Sequence, residues 1–361
     1  MTLFSSGREG LLALLRALDV RPGQEIIVQG YTCVVVPNAI HAAGAVPVYA
    51  DIDPETLNLT RQTVKAVITD RTKAIICQHT FGIPAPLDAL RELCDENNII
   101  LIEDCAHILP DAKGPQGIGM TGDYAILSFG RDKAISGITG GAIVARSPAV
   151  AAILRELEKT ALHLSFWTIG MLLEYPSRMH SIVRPLAGTM FLKPVLWLLQ
   201  RMRMIVPVVT ADEKAGRMSP ILHKIPNVCS ALALRSLQAL PRLNERRRTL
   251  TSFYLAHGKK QSWPIPDGIR ADMPLQKFPI FVTNAPGKRS ILTKDNIHLD
   301  DGWTGCVICP ESVSLEVAGY EWGKDPLAEQ ACKHILNLPT HPTMTLYQAQ
   351  ILAKKIDTLL K

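Results

Sequence analysis

No stretch of this sequence is both apolar and uncharged for long enough to cross a bilayer. The longest such run, 162–173, is about twelve residues, against the roughly twenty a spanning helix needs. Blocks of one charge sign are missing as well. Lys and Arg outnumber Asp and Glu by 39 to 33, but the excess is spread out and no basic run is interleaved with aromatics, so nucleic acid is not an expected partner. Of the eight cysteines only Cys306 and Cys309 form a CxxC. A structural zinc site needs four ligands, and no second CxxC or Cys/His pair at finger spacing is present. No metal is therefore expected, and the two read as core thiols near a strand end. The cysteines mostly sit in apolar runs and no secretory leader precedes them, which points to a reducing, cytoplasmic setting. Internal repeats and low-complexity linkers are also missing.

What is present is 361 residues, 47% apolar and 20% charged, enough for one large core or two moderate ones. In the first half, short apolar runs of strand type (25–28, 46–49, 74–77, 99–102, 124–128, 141–145) alternate with helical patterns (8–18, 35–43, 87–97). Strands this apolar are covered on both faces, so the alternation predicts an α/β domain with a mostly parallel sheet. Ligands of such sheets gather at the carboxyl ends of the strands. A helix rich in Ala and Leu is expected from Cys229 through Asn244 to Arg248, followed by mixed short strands and helices. The division expected is a large domain over 1–228 and a smaller α+β domain over 229–361.

Residues 161–211 differ in character, with Phe166, Trp167, Phe191 and Trp197 among five basic residues (Arg178, Arg184, Lys193, Arg201, Arg203) and one acidic, Glu174. Phe191, Val195, Leu198, Met202 and Ile205 recur at helical spacing, predicting an amphipathic helix. Two readings stay open. The stripe packs on the large domain or a partner subunit, or it lies on an anionic bilayer with Trp167 and Trp197 as anchors.

Two strand ends hold the chemistry. Asp104 follows the apolar run ending Ile102-Glu103, and Ser128-Phe129-Gly130-Arg131-Asp132-Lys133 stands at the next strand's end, before Gly140-Gly141. An aldehyde cofactor needs a lysine for imine formation, a carboxylate to keep its ring nitrogen protonated, and hydroxyls or amides for its phosphate. Lys133, Asp104 and Ser128 meet those needs in turn. Singly each has a plainer reading as a solvated Lys, a turn-capping Asp or a helix-capping Ser; the ordered set carries the weight.

In its order of pieces the chain resembles the DegT/DnrJ/EryC1/StrS sugar aminotransferases, a branch of the fold-type I pyridoxal-phosphate enzymes. The pieces are Ser6-Gly7; Gly44 to Val48 with Asp51-Ile52-Asp53; Thr72 to Ile76; His79 to Gly82 with Asp88; Ile102 to His107; Ser128 to Lys133 with Gly140-Gly141; Arg246 to Arg248; and Leu338-Pro339-Thr340-His341-Pro342. The resemblance implies the aspartate-aminotransferase-like fold and a homodimer with its sites at the subunit interface. It also implies pyridoxal 5'-phosphate held on Lys133 as a Schiff base, with Asp104 at the pyridine nitrogen, Ser128 on the phosphate and His107 near the phenolic oxygen. The implied reaction is amino transfer, from glutamate as donor, to a keto sugar linked to a nucleotide or lipid. The alternative is a non-catalytic relative that binds cofactor or sugar nucleotide without turnover.

Several positions depart from the family. Its Ser-Gly-Thr turn, which opens a helix onto the phosphate, reads Ser6-Gly7-Arg8, where Arg8 either adds a charge-assisted contact or is solvated. Cys33 occupies the slot of the ring that stacks on the cofactor. Leu222-His223-Lys224 stands in place of an Asn-Tyr-Arg whose asparagine reaches the partner's phosphate, and only residues 1–5 precede Ser6.

Overall fold

The computed structural model describes residues 1–186, 189–202, 204–299 and 302–360. Arg203 and the side chains of Arg184 and Lys193, three of the five basic residues counted above, lie outside that description. A seven-stranded sheet organises the first half. Its strands are β1 (Thr2–Phe4), β2 (Glu25–Gln29), β4 (Val46–Ala50), β5 (Thr72–Gln78), β6 (Ile100–Asp104), β7 (Tyr124–Ser128) and β8 (Gly141–Ala145), while β3 (Thr32–Cys33) lies outside it. The order across the sheet is β1-β8-β7-β6-β5-β2-β4. Strands β7, β6, β5, β2 and β4 run parallel, and β8 runs antiparallel to both β7 and β1. All six expected strands are there: β7 and β8 have the expected bounds, β2, β4 and β6 are one residue longer, and β5 is three longer. The two unforeseen ones, β1 and β3, are three and two residues long, too short for an alternation to show.

Parallel neighbours need crossovers, and helices supply them on both faces. Side chains alternate along each strand. Ile26, Val28, Ile76 and Ile102 pack on one face under α1 (Gly7–Ala17), α2 (Val35–Ala42) and, further along the chain, α5 (Pro148–Thr160). Ile27, Ile75, Cys77 and Leu101 pack on the other, beside α3 (Arg61–Lys65) and under α4 (Leu87–Asn97). Because both faces are covered, the strands show near-continuous apolar runs.

Residues 161–211 fold into α6 (Phe166–Arg178), α7 (Leu192–Arg201) and, at their end, α8 (Ala211–Lys214). Here the expected stripe is corrected in part. Val195 and Ile205 of that stripe pack inward, together with Leu192, Leu196 and Leu199, against Val183, Met179 and Ile182, whereas Phe191, Leu198 and Met202 are exposed. Both rows have helical spacing, since α7 is apolar around most of its circumference; the row meeting Val183 is the buried one.

The Ala- and Leu-rich segment is two helices, α9 (Asn227–Gln238) and α10 (Leu240–Lys260), so the single helix expected from Cys229 is also corrected. Pro241 lacks an N–H and its ring meets the preceding turn, which breaks the helix at Ala239. The expected domain boundary at 228/229 falls in the first turn of α9. Beyond it come β9 (Lys277–Phe281), α11 (Ala285–Lys294), β10 (Ile308–Cys309), α12 (Pro326–His334), β11 (Ile335–Pro339) and α13 (Leu346–Leu360). Strands β9 and β11 pair antiparallel, and β10 pairs parallel with β3. The largest apolar core runs from this part across to Tyr31, Val34, Ile52 and Phe81.

Candidate active site

Three strand ends converge. Asp104 closes β6 opposite Gln78 of β5 and Ile126 of β7. Ser128 closes β7 opposite Gly141. Because β8 runs antiparallel, its amino end lies at that same edge, and Ser6 bridges to Gly140. Helix α1 therefore starts beside Ser128. A side chain on Gly141 would put its Cβ 2.4 Å from the Gly7 amide nitrogen, and one on Gly7 would sit 3.2 Å from Ser128 Cβ, so both glycines permit the close approach. Ser6 caps the helix, accepting from the Glu9 amide at 3.3 Å. The amides of Gly7 and Arg8 lie in the first turn, where no intrahelical acceptor serves them, which makes an anion site.

Lys133 follows five residues after Ser128, in a loop closed by hydrogen bonds from the Phe129 amide to Gly140 O (2.8 Å) and from the Gly137 amide to Phe129 O (2.9 Å). Among the described residues its amine makes no hydrogen bond or ion pair, and the Ser128 hydroxyl makes none either. Asp104 is buried, and its carboxylate accepts from the Ala106 amide at 3.0 Å and from no other group described. Burial raises the Asp104 carboxyl and lowers the Lys133 amine; their mutual attraction opposes both shifts without cancelling them. Burial also raises the Cys33 thiol, against the pull of Lys133. An amine, a carboxylate and a hydroxyl, all lacking sufficient partners at one edge, fit the cofactor that the sequence resemblance implies.

His107 Nδ1 accepts from the Phe81 amide at 3.2 Å, which leaves the proton on Nε2 in the neutral ring. Burial first, then Lys133 and Lys277, push its pKa well below the usual value. Arg8 is neither solvated nor unpartnered: its guanidinium pairs with Glu213 and donates to Val208 O at 2.7 Å, and its charge still acts on Lys133 and Cys33. Leu222-His223-Lys224 is tied to the same helix start, with the His223 amide donating to Glu9 Oε2 at 2.5 Å and the Ser5 amide to His223 O at 2.8 Å.

The aromatic cluster around His107 escaped the sequence reading. Phe81, buried and in the left-handed region (φ 55°), stacks on His107 with centroids 5.9 Å apart and rings 16° from parallel. Trp303 packs edge-on against both rings at 5.3 Å, and Tyr31 donates to its carbonyl at 2.8 Å. No periodicity links residue 81 to residue 303. Nearby, His79, Glu103 and Cys105 place ligand-type atoms within 4.8 Å of one another. Glu103 already accepts from the Gly119, Thr121 and Gly122 amides at 2.6–2.8 Å and faces His79, whose other nitrogen accepts from Ala85; this is a strut under the site.

GDP-perosamine synthase of Vibrio cholerae is 36% identical over 149 residues, 41% of each chain. The UDP-N-acetyl-3-dehydro-alpha-D-glucosamine 3-aminotransferase of Acidithiobacillus ferrooxidans is 35% identical over 145 residues, 40% of this chain and 39% of that protein. The matched stretch thus spans about two fifths of these relatives. Among solved structures, DesV of S. venezuelae in complex with a ketimine intermediate superposes over all of this chain and 84% of its own, with TM-score 0.74 and 25% identity. The sequence model of the DegT/DnrJ/EryC1/StrS aminotransferase family matches residues 2–186 and 198–357, and the chain belongs to that family.

Proposed function

We propose that the chain is a pyridoxal-phosphate-dependent aminotransferase that moves an amino group, from glutamate, to a keto sugar carried on a nucleotide or lipid. The observation that carries this reading is the meeting of Lys133, Asp104 and Ser128 with the start of α1 at one sheet edge, each side chain short of partners. When bound there, the cofactor supplies an electron sink for bond-breaking at the substrate carbon. Lys133 Nζ, its pKa lowered by burial, is the group that takes and returns a proton. Asp104 stabilises positive charge at the ring nitrogen, Ser128 and the Gly7 amide receive the phosphate, and neutral His107 offers Nε2–H. Cys33, near enough to Lys133 to feel its charge, would lie against the cofactor's ring. The names of the two relatives, both acting on or making nucleotide-linked sugars, favour a nucleotide carrier. Residues 1–228 would form the cofactor domain and 229–361 the smaller one, in a homodimer that light scattering would test. Adding cofactor should produce a visible absorption band that Lys133→Ala lacks, and glutamate should bleach it until a keto sugar restores it. No band under excess cofactor would overturn this reading in favour of the non-catalytic one.

We also propose that 161–211 brings this otherwise cytoplasmic protein to the inner face of an anionic membrane. Phe166 is 94% exposed, and Trp167 and Trp197 are each 62% exposed, on a segment of net charge +4. The family match breaks at 187–197, so Phe191 and Trp197 stand outside the pattern that a family-wide subunit contact would use. No helix among the described residues is long and apolar enough to cross a membrane, so contact would be in the surface plane. Vesicles with acidic lipid should bind the protein and release it as salt rises. Failure to bind at low salt would leave these side chains to a subunit contact.

A further inference from the structure

Among the described residues, a buried cation beside the Lys133 loop has no acid to pair with. Arg247, in the first half of α10, is buried. Its Nη1 donates to Asn244 Oδ1 at 3.0 Å, its Nη2 reaches Lys133 O at a long 3.5 Å, and its Nε has no hydrogen-bond partner. The carboxylate linked to this network, Asp111, is engaged. Both its oxygens accept from Arg248 at 2.5–2.6 Å, and Oδ2 also accepts from Asn244 at 2.5 Å. Burial lowers the Arg247 pKa to about 10, which still leaves it charged at neutral pH. A buried charge of this kind is strongly destabilising unless an anion meets it.

The neighbours are basic residue types, one neutral and one charged. His341, just past β11, is depressed by burial and then by Arg247. Lys277, which opens β9 opposite Pro339, lies close enough to His107 to depress that ring. Helix α10 and strand β9 thus bring Arg247 and Lys277 to the edge that holds Lys133 and His107, and Arg247 presents a guanidinium fork of the shape that carboxylates and phosphates fit.

We propose that Arg247 is a binding residue for an anionic oxygen group of a reactant, the carboxylate of the amino donor or a phosphate of the sugar carrier. The assignment rests on the aminotransferase reading of the edge and adds a subsite to it. The test titrates cofactor-loaded protein by calorimetry with glutarate, an unreactive dicarboxylate, and with inorganic pyrophosphate. The wild type is compared with Arg247→Gln and Arg247→Lys. Arg247→Gln should weaken one of the two probes about a hundredfold, and Arg247→Lys about tenfold, since an ammonium keeps the charge and loses the fork. Loss in the glutarate arm identifies the donor carboxylate, and loss in the pyrophosphate arm the carrier's phosphates. In the glutarate case, half-saturation by glutamate should rise with little change in the rate at saturation, about threefold at most. Thermal stability of Arg247→Gln should equal or exceed that of the wild type, because an unpaired charge is gone. Wild-type affinity for both probes in Arg247→Gln, or in Arg247→Lys should the first variant not fold, overturns the proposal. Absence of the cofactor band would instead sink the reading of the edge; binding of the probes is measured as heat and is judged separately.

Discussion

The sheet edge and the 161–211 segment are unfinished in opposite ways. At the edge, polar groups are buried without enough partners: Lys133, Asp104, Ser128, Arg247 and, against Gly30 at the end of β2, Asp325. In the segment, apolar groups face outward without cover: Phe166, Trp167, Met190, Phe191 and Trp197. Burying an unpaired polar group and exposing a large apolar one are both unfavourable for a chain alone, and each marks where another molecule belongs. The difference lies in what answers them. On the proposals above, the edge would take charged, hydrogen-bonding ligands held in fixed geometry, whereas the segment would take an extended apolar surface with anionic character.

If the contrast holds, the largest effect belongs to Lys133. Lys133→Ala should lose at least about 10⁴-fold in turnover together with the visible band, while thermal stability changes little. Residual activity near the wild type would remove the edge from the comparison. Asp104→Asn should keep cofactor, by retained phosphate contacts, and lose about 10³-fold in rate, read from single-turnover kinetics. Near-normal rates there would show that the buried carboxylate is structural.

Asp325 sharpens the cost side. Burial and the nearby Asp51 raise its pKa from 3.8 to about 6, so the folded chain keeps a proton that the unfolded chain releases. Stability from this group is full below about pH 4, falls as pH rises to about 6, and stays lost above. Asp325→Asn should flatten that fall and be more stable than the parent at pH 8 by on the order of 2–3 kcal/mol in urea unfolding. An unchanged pH profile would mean that Asp325 is solvated after all. The smallest effect is expected from Trp167→Ala with Trp197→Ala: affinity for acidic vesicles should drop about tenfold while the cofactor band is untouched. A band that weakens with the tryptophans would mean the two regions are one site.

Much of the edge was legible because its signals are local. Asp104 and Ser128 end apolar runs and Lys133 follows five residues later, so their places at strand ends put them at one edge; Gly140 and Gly141 join them only because β8 runs antiparallel. Ser6-Gly7 was legible only through resemblance, since β1 has three residues and its pairing with β8 spans some 140 positions. The row of α7 that packs was partly misread because two apolar rows run side by side, and only the position of Val183 chooses between them. The break between α9 and α10 was missed although Pro241 stood in the sequence.

The sequence by itself determined the layering of the sheet, the edge to which Asp104, Ser128 and Lys133 come, and the odd character of 161–211. Each of these follows from side-chain periodicity and composition within a short window. Only the tertiary structure decided that Phe81 and Trp303 clamp His107, that Glu213 takes Arg8, and that Arg247 finds no acid among the described residues beside Lys133. Those outcomes depend on which partners reach a charge or ring across tens to hundreds of residues, and on how much water is excluded there, quantities that no local pattern encodes.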